Sequence, residues 1–168
     1  MKIPDVPYTE KLITPIRTWI IGASDEALKW IITDNDADFD DHPNEITHTA
    51  VKQLTEYFDG KRQDFDLPLD LSGYTMFSER VWKMLLTIPY GKTISYQQLA
   101  IMLGDKKCIR AAASANGRNP IPIIVPCHRV IGSDGSLTGY SMGLDVKKYL
   151  LSLEQPEIYN ENQLNLFE

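Results

Sequence analysis

Two short helical segments in the second half of the chain, each ended by a glycine, restrict the fold more than any other sequence feature. Ser95 can cap a helix over YQQLAIML that stops at Gly104, and a second helix, from about Lys106 to Asn116, stops at Gly117. Two short helices joined by a glycine-containing turn predict a helix-turn-helix motif, which commonly presents its second helix to a nucleic acid.

The second helix of this motif is rich in small residues. It reads KKCIRAAASANG, so Ala111, Ala112 and Ala113 present little side-chain bulk, and Arg110 projects from its first half. Such a helix can bring its backbone close to a partner. A tightly packed helix–helix contact explains the same small residues, and the pattern alone leaves both interpretations open.

Charge is distributed unevenly along the sequence. Residues 1–74 hold 7 basic and 15 acidic side chains, residues 75–154 hold 10 and 5, and residues 155–168 hold 0 and 3. The middle segment therefore has a net charge of +5 in a chain whose total is −6. An excess of Lys and Arg favours a nucleic-acid partner, and ordinary surface charge is the alternative.

The N-terminal part of the chain predicts a small α/β layer. PIRTWIIG and ALKWIITD read as neighbouring strands, and apolar residues at helical spacing predict a helix from Glu45 to Phe58. DLPLDLSGY is the candidate linker. We therefore expect an α+β protein with an N-terminal domain over 1–70, a helix-turn-helix domain over 71–155 and a flexible acidic tail over 156–168.

The stretch IPIIVPCHRVIG places a thiol, an imidazole and a guanidinium at the end of an apolar run. Ile121 to Val125 predict a buried strand, and Cys127, His128 and Arg129 follow it. Neither of the two cysteines belongs to a CxxC pair, so we expect a reduced thiol and no structural zinc. A buried inert cysteine and a surface histidine are the alternative.

The composition also sets expectations about location and metals. The first residues lack the apolar segment of a signal peptide, and no run approaches the roughly 18 apolar residues that a membrane helix needs. We expect a cytoplasmic protein with no membrane partner. Asp34, Asp36 and Asp38 alternate like the start of a calcium loop, but Phe39 stands where such a loop needs glycine, which favours a solvated loop.

Together these features resemble the O6-alkylguanine-DNA alkyltransferase family, whose members are methylated-DNA–protein-cysteine methyltransferases. The resemblance covers about residues 75–154 through ISYQQLA, the helix with Arg110, NGRNP, VPCHRV, GYS and LLSLE, in the family's order. It implies a winged-helix-like C-terminal domain that carries the active-site cysteine. Residues 1–74 match only in general layout.

The resemblance implies irreversible, single-turnover transfer of an alkyl group from O6-alkylguanine in DNA to Cys127, without cofactor or metal. His128 would remove the thiol proton through a bridging water, and Glu154 would orient the imidazole. A direct contact between Cys127 and His128 is not expected, because consecutive residues of a strand face opposite ways.

Further residues are implied at the DNA and at the flipped base. Arg110 would fill the space that the base vacates, while the three alanines suit a minor-groove approach. Tyr96 matches a hydrogen-bond donor to guanine, and Asn119 matches the asparagine that ties the second helix to the active-site strand. The remaining implied contacts are Pro122, Arg129, Tyr140, Ser141 and Met142. Without the resemblance, Tyr96 is a core aromatic and Asn119 a turn residue.

Two rival classes remain at this point: a non-catalytic lesion-binding relative and a cysteine hydrolase that shares only the PCH sequence. Relatives that only sense lesions lack the acceptor cysteine, which Cys127 supplies, and a hydrolase would turn over repeatedly. Double-stranded DNA with alkylated bases is the expected partner of a monomer. The sequence leaves open whether alkylated thymine is also a substrate.

The C-terminal tail carries a second, shorter resemblance. QLNLF is similar to the pentapeptide by which bacterial repair proteins bind the sliding clamp. In that interpretation Gln163 makes the polar contact, and Leu164, Leu166 and Phe167 supply the apolar part of the motif. The alternative is that the three apolar residues fold back on the N-terminal domain.

Overall fold

The structure is a computed structural model that describes residues 5–33 and 40–159. These residues form two compact units. The first comprises the described residues up to Tyr74 together with Pro120–Ile124, and the second comprises Thr75–Asn119 and the described residues from Val125 onward. Helix and sheet are combined in the chain, as the sequence predicts.

An antiparallel sheet and one helix build the first unit. Its strands are β1 (Tyr8–Ile13), β2 (Thr18–Ala23) and β3 (Leu28–Thr33), paired in that order. The predicted pair β2 and β3 is confirmed. The sequence YTEKLI of β1 contains too few apolar residues to signal a strand, and its pairing with β2 is what reveals it.

Helix α1 spans Glu45–Phe58, the range that the apolar spacing predicts. It begins at a capping box, in which the Asn44 side chain accepts from the Thr47 amide and the Thr47 hydroxyl accepts from the Asn44 amide, both at 2.9 Å. Its buried face carries Ala50, Leu54 and Tyr57. Burial of this face holds the helix in the first unit.

The candidate linker DLPLDLSGY runs along β3. The Leu28 amide donates to the Pro68 carbonyl, and the Asp70 amide donates to the Leu28 carbonyl, both at 2.9 Å. Asp70 also forms an ion pair with Lys29. The residues around the expected boundary at 70 therefore belong to the first unit, which ends at Tyr74.

Short helices dominate the second unit. They are α2 (Met76–Leu85), α3 (Tyr96–Met102), α4 (Ile109–Gly117), α5 (Leu144–Glu154) and α6 (Pro156–Tyr159). Ser95 caps α3 as predicted, in a capping box with Gln98. The second predicted helix is divided into a 3₁₀ turn at Lys106–Cys108, capped by Asp105, and α4.

A two-stranded parallel sheet accompanies these helices. Strand β4 (Ile94–Ser95) leads into α3, and strand β5 (Val130–Ile131) follows the predicted nucleophile segment. The pair therefore joins the start of the helix-turn-helix motif to the residues after Cys127. Within residues 5–33 and 40–159, no helix has the length and apolar character required to cross a membrane.

Candidate active site

Cys127 follows a tight turn and not the predicted strand. Pro122 removes a backbone donor from the run Ile121 to Val125, which forms no ordinary strand, and this prediction was wrong. Ile123 has φ +76°, a conformation that β-branched residues rarely adopt. Pro126, at φ −82° and ψ 63°, forms an inverse γ-turn in which the Cys127 amide donates to the Val125 carbonyl at 2.8 Å.

The three residues after this turn form one 3₁₀ turn, Cys127–Arg129. Successive side chains of such a turn are about 120° apart, because there are 3 residues per turn. The expectation that Cys127 and His128 face opposite ways along a strand is therefore corrected. Both side chains are buried, with 2% of Cys127 and none of His128 exposed.

Asn119 ties the turn and the thiol together. Its side-chain amide donates to the Val125 carbonyl at 2.7 Å and to the Cys127 sulfur at 3.0 Å. Asn116, in the last turn of α4, donates to the Cys127 carbonyl at 3.3 Å. The helix-turn-helix motif and the cysteine are thus connected through two buried amide side chains, one of which sequence reasoning missed.

Glu154, in the last turn of α5, binds two basic side chains. Its Oε1 lies 2.9 Å from His128 Nε2, and its carboxylate receives Nε and Nη2 of Arg129, each at 2.9 Å. The Gly91 amide adds a hydrogen bond to Oε2 at 3.2 Å. Arg129 also donates from Nη1 to the Ile88 carbonyl at 2.6 Å.

These contacts determine the ionisation of Glu154. Burial alone would raise the pKa of the carboxyl, but hydrogen bonds and positive charge from His128 and Arg129 outweigh it and lower the pKa to about 2. Glu154 is therefore a carboxylate at neutral pH, and a carboxylate only accepts hydrogen bonds.

His128 must consequently carry its proton on Nε2. Burial lowers the pKa of His128, Glu154 opposes this, and Arg129 and Lys147 add to the lowering. The resting imidazole is then neutral, and its Nδ1 holds a lone pair. Nδ1 is buried and forms no hydrogen bond with any residue in the described part of the chain. His128 therefore presents an available base.

Opposing effects act on the pKa of the Cys127 thiol. Burial raises its pKa, while the amide of Asn119, the hydroxyl of Tyr140 and the charge of Lys147 lower it and favour the thiolate. Burial dominates, so the resting group is a thiol. A thiolate formed here has donors already in position.

The loop 138–142 carries further predicted residues. The hydroxyl of Tyr140 lowers the pKa of the Cys127 thiol, Ser141 is exposed, and Met142 is half-buried. Tyr96, at the start of α3, donates its hydroxyl to the carbonyls of Thr138 at 3.1 Å and Gly139 at 3.3 Å. The predicted base-binding tyrosine thus contacts the loop that carries Tyr140 and Ser141.

Helix α4 packs some of its small residues against the protein and leaves others exposed. Ala112 is fully buried, and the Trp82 indole donates to the Ala115 carbonyl at 2.8 Å, which requires close approach to the helix backbone. Arg110 and Ala111 are exposed, and Ala113 is half-buried. Ala112 is therefore a packing residue, which corrects its assignment to the DNA contact.

Arg129 and Pro122, which the resemblance implies at the DNA or at the flipped base, have other surroundings in the structure. Arg129 has 6% of its surface exposed and is bound to Glu154, so its guanidinium holds the carboxylate instead of facing a phosphate. Pro122 is buried in Pro120–Ile124, the segment that belongs to the first unit. The ion pair of Arg129 had no sequence signal, because Glu154 is 25 residues away in the chain.

Several predictions lie outside the described residues. Gln163, Leu164, Leu166 and Phe167 of the tail are among them, as are Asp34, Asp36 and Asp38. Among residues 5–33 and 40–159, no three His, Cys, Asp or Glu side chains converge in a way that could hold a metal ion.

Sequence reasoning also missed Lys147, on the buried face of α5. Its side chain is fully buried, and its Nζ donates to the Val130 carbonyl at 2.6 Å and the Thr138 carbonyl at 3.2 Å. Lys147 lies next to Lys148, so the pair reads as ordinary surface charge. Its helical phase, one residue after the buried Val146 and three before the buried Leu150, was the available signal.

The fold and the site define a class: helix-turn-helix proteins with a buried cysteine beside a neutral histidine base. Comparison with known protein families identifies one family within this class. The family model "6-O-methylguanine DNA methyltransferase, DNA binding domain" matches residues 76–156, and the model of the same family's "ribonuclease-like domain" matches residues 25–71.

Individual proteins similar to this chain belong to the same family. A methylated-DNA–protein-cysteine methyltransferase of Methanosarcina mazei is 41% identical over 154 residues, covering 88% of this chain and 97% of that protein. The Methanosarcina barkeri relative is 55% identical over 106 residues, which is 63% of this chain and 66% of that protein, just under two thirds. The crystal structure of Mycobacterium tuberculosis OGT in complex with DNA has a TM-score of 0.80 and 42% identity, covering 89% of this chain and 93% of that one. The chain belongs to the O6-methylguanine-DNA methyltransferase family.

Proposed function

We propose that this protein repairs DNA by transferring an alkyl group from O6-alkylguanine to Cys127, once per molecule. The observation that carries the proposal is the buried thiol beside a neutral imidazole whose Nε2 is fixed on Glu154. Only a thiolate is nucleophilic enough for this step, and His128 offers the base that forms it. The family membership of the chain supports the same activity.

The proposed reaction begins with proton transfer. The S–H proton of Cys127 passes to Nδ1 of His128 through a bridging water, and Glu154 stabilises the imidazolium. The sulfur then attacks the alkyl carbon, forming the S–C bond as the C–O bond breaks. The electron pair of that bond stays on guanine, and a proton equivalent to the one that Cys127 released to His128 neutralises the resulting anion. Tyr96 donates a hydrogen bond to the leaving base, and Ser141 donates to its oxygen.

The proposed reaction ends at a thioether. No group in the described site is placed to hydrolyse a thioether, so we propose that the alkylated protein is the final product. Repair then consumes one protein molecule per lesion. O4-alkylthymine as a second substrate would use the same acceptor chemistry.

DNA binding is proposed to use the exposed face of α4. Arg110 and Ala111 lie on this face, and exposed Lys106 and Lys107 precede the helix. The small side chains suit the narrow minor groove, and the lysines suit the phosphates. Because the acceptor thiol is buried, the alkylated base must leave the stack to react, and Arg110 would fill the space it vacates.

The test uses duplex DNA with an isotopically labelled methyl group on guanine O6. We expect at most one methyl per protein, located on Cys127, and no transfer by Cys127→Ser, which still binds the duplex. The matched control is Cys108→Ser, because Cys108 is the other cysteine of the chain and is partly exposed. Label on Cys108 or repeated turnover would overturn the proposal, and binding without transfer by the unaltered protein would favour a non-catalytic lesion-binding protein.

We also propose that the tail tethers the protein to a bacterial sliding clamp in the cytoplasm, with the repair domain acting as a monomer. The support is the sequence QLNLF, which lies outside the described residues. Calorimetric titration of the cognate clamp should detect binding by the full chain and none by a chain truncated after Asn162. Equal binding by both chains, or none by either, would exclude the tether.

A further inference from the structure

Lys147 is a fully buried lysine that the proposed mechanism does not use. Its ammonium donates to two carbonyl oxygens, Val130 at 2.6 Å and Thr138 at 3.2 Å. It also lies 5.8 Å from the ring centroid of Tyr96 and 5.9 Å from that of Tyr140. Burying a charged lysine is costly, so a purely structural role for it needs a compensating reason.

No carboxylate among the described residues forms an ion pair with this ammonium. Glu154, two turns further along α5, is already bound by Arg129 and His128. The rings of Tyr96 and Tyr140 face Lys147 from neighbouring elements. Its charge also acts on the neutral imidazole of His128 and on the thiol of Cys127, lowering the pKa of both. On its own helix, Asp145 and Lys148 are its charged neighbours in sequence.

Cys127 is therefore the group near Lys147 that can acquire an uncompensated negative charge. The two groups share neighbours: the ammonium binds the carbonyl of Val130, three residues after Cys127, and lies against the ring of Tyr140, whose hydroxyl favours the thiolate. We propose that Lys147 is the counter-charge of the Cys127 thiolate, a positioning residue that stabilises the nucleophile without touching the alkyl group. The inference rests on the proposed function, in which Cys127 accepts the alkyl group.

The electrostatics of the two groups are consistent with this pairing. Burial lowers the pKa of Lys147 to about 8, and the charge of Cys127 raises it in opposition, while the ammonium in turn lowers the pKa of the thiol. Such coupling is necessarily reciprocal. Lysine remains mostly protonated at neutral pH, so its charge is present before His128 accepts a proton.

The experiment measures thiolate formation without DNA, so that its failure is distinguishable from failure of the alkyl-transfer proposal. All variants carry Cys108→Ser, which leaves Cys127 as the only thiol. The ultraviolet absorbance of the thiolate and the rate of modification by iodoacetamide are followed against pH. Lys147→Met removes the charge, Lys147→Arg keeps it, and Lys148→Met is the matched control on the same helix.

We expect Lys147→Met to move the midpoint of both profiles upward by about one pH unit and to slow modification at neutral pH about tenfold. Lys147→Arg should retain most of the parent behaviour, and Lys148→Met all of it. An unchanged midpoint in Lys147→Met would overturn the proposal. An equal upward shift in Lys147→Arg would also overturn it, because it would indicate a packing effect in place of a charge effect.

A second measurement keeps the proposal testable if Lys147→Met does not fold. The titration of Lys147 is followed by NMR of ¹³C-labelled lysine in the protein with Cys127 and in Cys127→Ser. Because the thiolate holds the proton on the lysine, we expect Lys147 to titrate at higher pH when Cys127 is present. Identical titration in the two proteins would show that the groups are not coupled.

Discussion

At the scale of single residues, the charges of the site converge on Glu154. One carboxylate accepts from His128, Arg129 and the Gly91 amide, and its own burial is complete. Burial lowers the pKa of His128 most, and Arg129 adds to the lowering, so the pull of Glu154 on the imidazole is not enough to keep His128 protonated. His128 is thus neutral and able to act as a base.

The depressed pKa of Glu154 predicts a specific acid dependence of stability. The carboxyl has a pKa of about 2 in the fold and an ordinary value of 4.5, so the unfolded chain binds a proton first as pH falls. The stabilisation is therefore fully present above about pH 5 and is lost as pH falls towards 2, by roughly 3 kcal/mol. Urea unfolding of the parent and of Glu154→Gln between pH 7 and pH 3 measures this loss in the free energy of unfolding.

We expect Glu154→Gln to be less stable at pH 7 and to lose less stability on acidification than the parent. Asp70→Asn is the control, because Asp70 also has a pKa of about 2, lowered mainly by its hydrogen bond with Lys29, but is far more exposed. This variant should keep the contribution of Glu154. Parallel pH profiles for the parent and Glu154→Gln would contradict the assignment.

The sequence predicted some of these residues and not others. Cys127, His128 and Glu154 occupy motif positions that the family resemblance implies. The structure places His128, which follows Cys127 in the chain, beside Glu154. Lys147 and Arg129 carry charges that usually indicate a surface residue. Their burial depends on partners 17 and 25 residues away, which a local pattern does not contain.

At the scale of elements, the turn before Cys127 matters most. Local signals predicted the helices well: apolar spacing predicted α1, Ser95 begins α3 as predicted, and Gly104 has the positive φ that ends it. The run IPIIV looked like a strand for the same local reason. Pro126, which follows this run, and the amide of Asn119 instead stabilise a turn that positions the thiol.

Removal of the Asn119 side chain should both destabilise the protein and reduce the reactivity of the thiol. Asn119→Ala leaves the buried Val125 carbonyl without this donor, so we expect a loss of about 1–3 kcal/mol in the free energy of unfolding. It also removes a hydrogen bond that lowers the pKa of Cys127, so iodoacetamide should react more slowly at neutral pH. Arg118→Ala, at the adjacent exposed residue, should change stability by less than about 0.5 kcal/mol. Equal effects of the two variants would contradict this role.

Helix α4 carries a prediction about base flipping. Arg110→Ala should slow repair of duplex DNA about tenfold or more, since flipping costs a few kcal/mol and about 1.4 kcal/mol is a factor of ten in rate. Reaction with a free alkylated guanine base needs no flipping and should change less than about twofold. Single-turnover rates on both substrates test this, with Arg118→Ala as the control that removes an equal charge from the end of the same helix. Equal losses on duplex and free base would refute the assignment.

At the scale of the whole molecule, the segments of the chain carry opposite charge. The net charge is −6, yet residues 75–154 carry +5 and residues 1–74 carry −8. The sequence composition predicted this separation of charge, but it did not predict that Pro120–Ile124 belongs to the first unit. That placement rests on long-range contacts such as the hydrogen bond from the Ile31 amide to the Pro120 carbonyl, at 2.8 Å.

An acidic protein that binds DNA must do so through a local basic surface, and its affinity should then depend steeply on salt. Each phosphate contact releases condensed counterions, so removal of one contacting lysine should reduce the slope of log K against log salt by about one. We expect this for Lys107→Gln, because Lys107 is exposed in the 3₁₀ turn that precedes α4. Lys52→Gln makes the same charge change at an exposed residue of α1 in the acidic segment and should leave the slope unchanged. Fluorescence anisotropy of a labelled duplex over a salt series measures both slopes. If the two variants weaken binding equally and with the same slope, net charge, and not the surface preceding α4, governs the association.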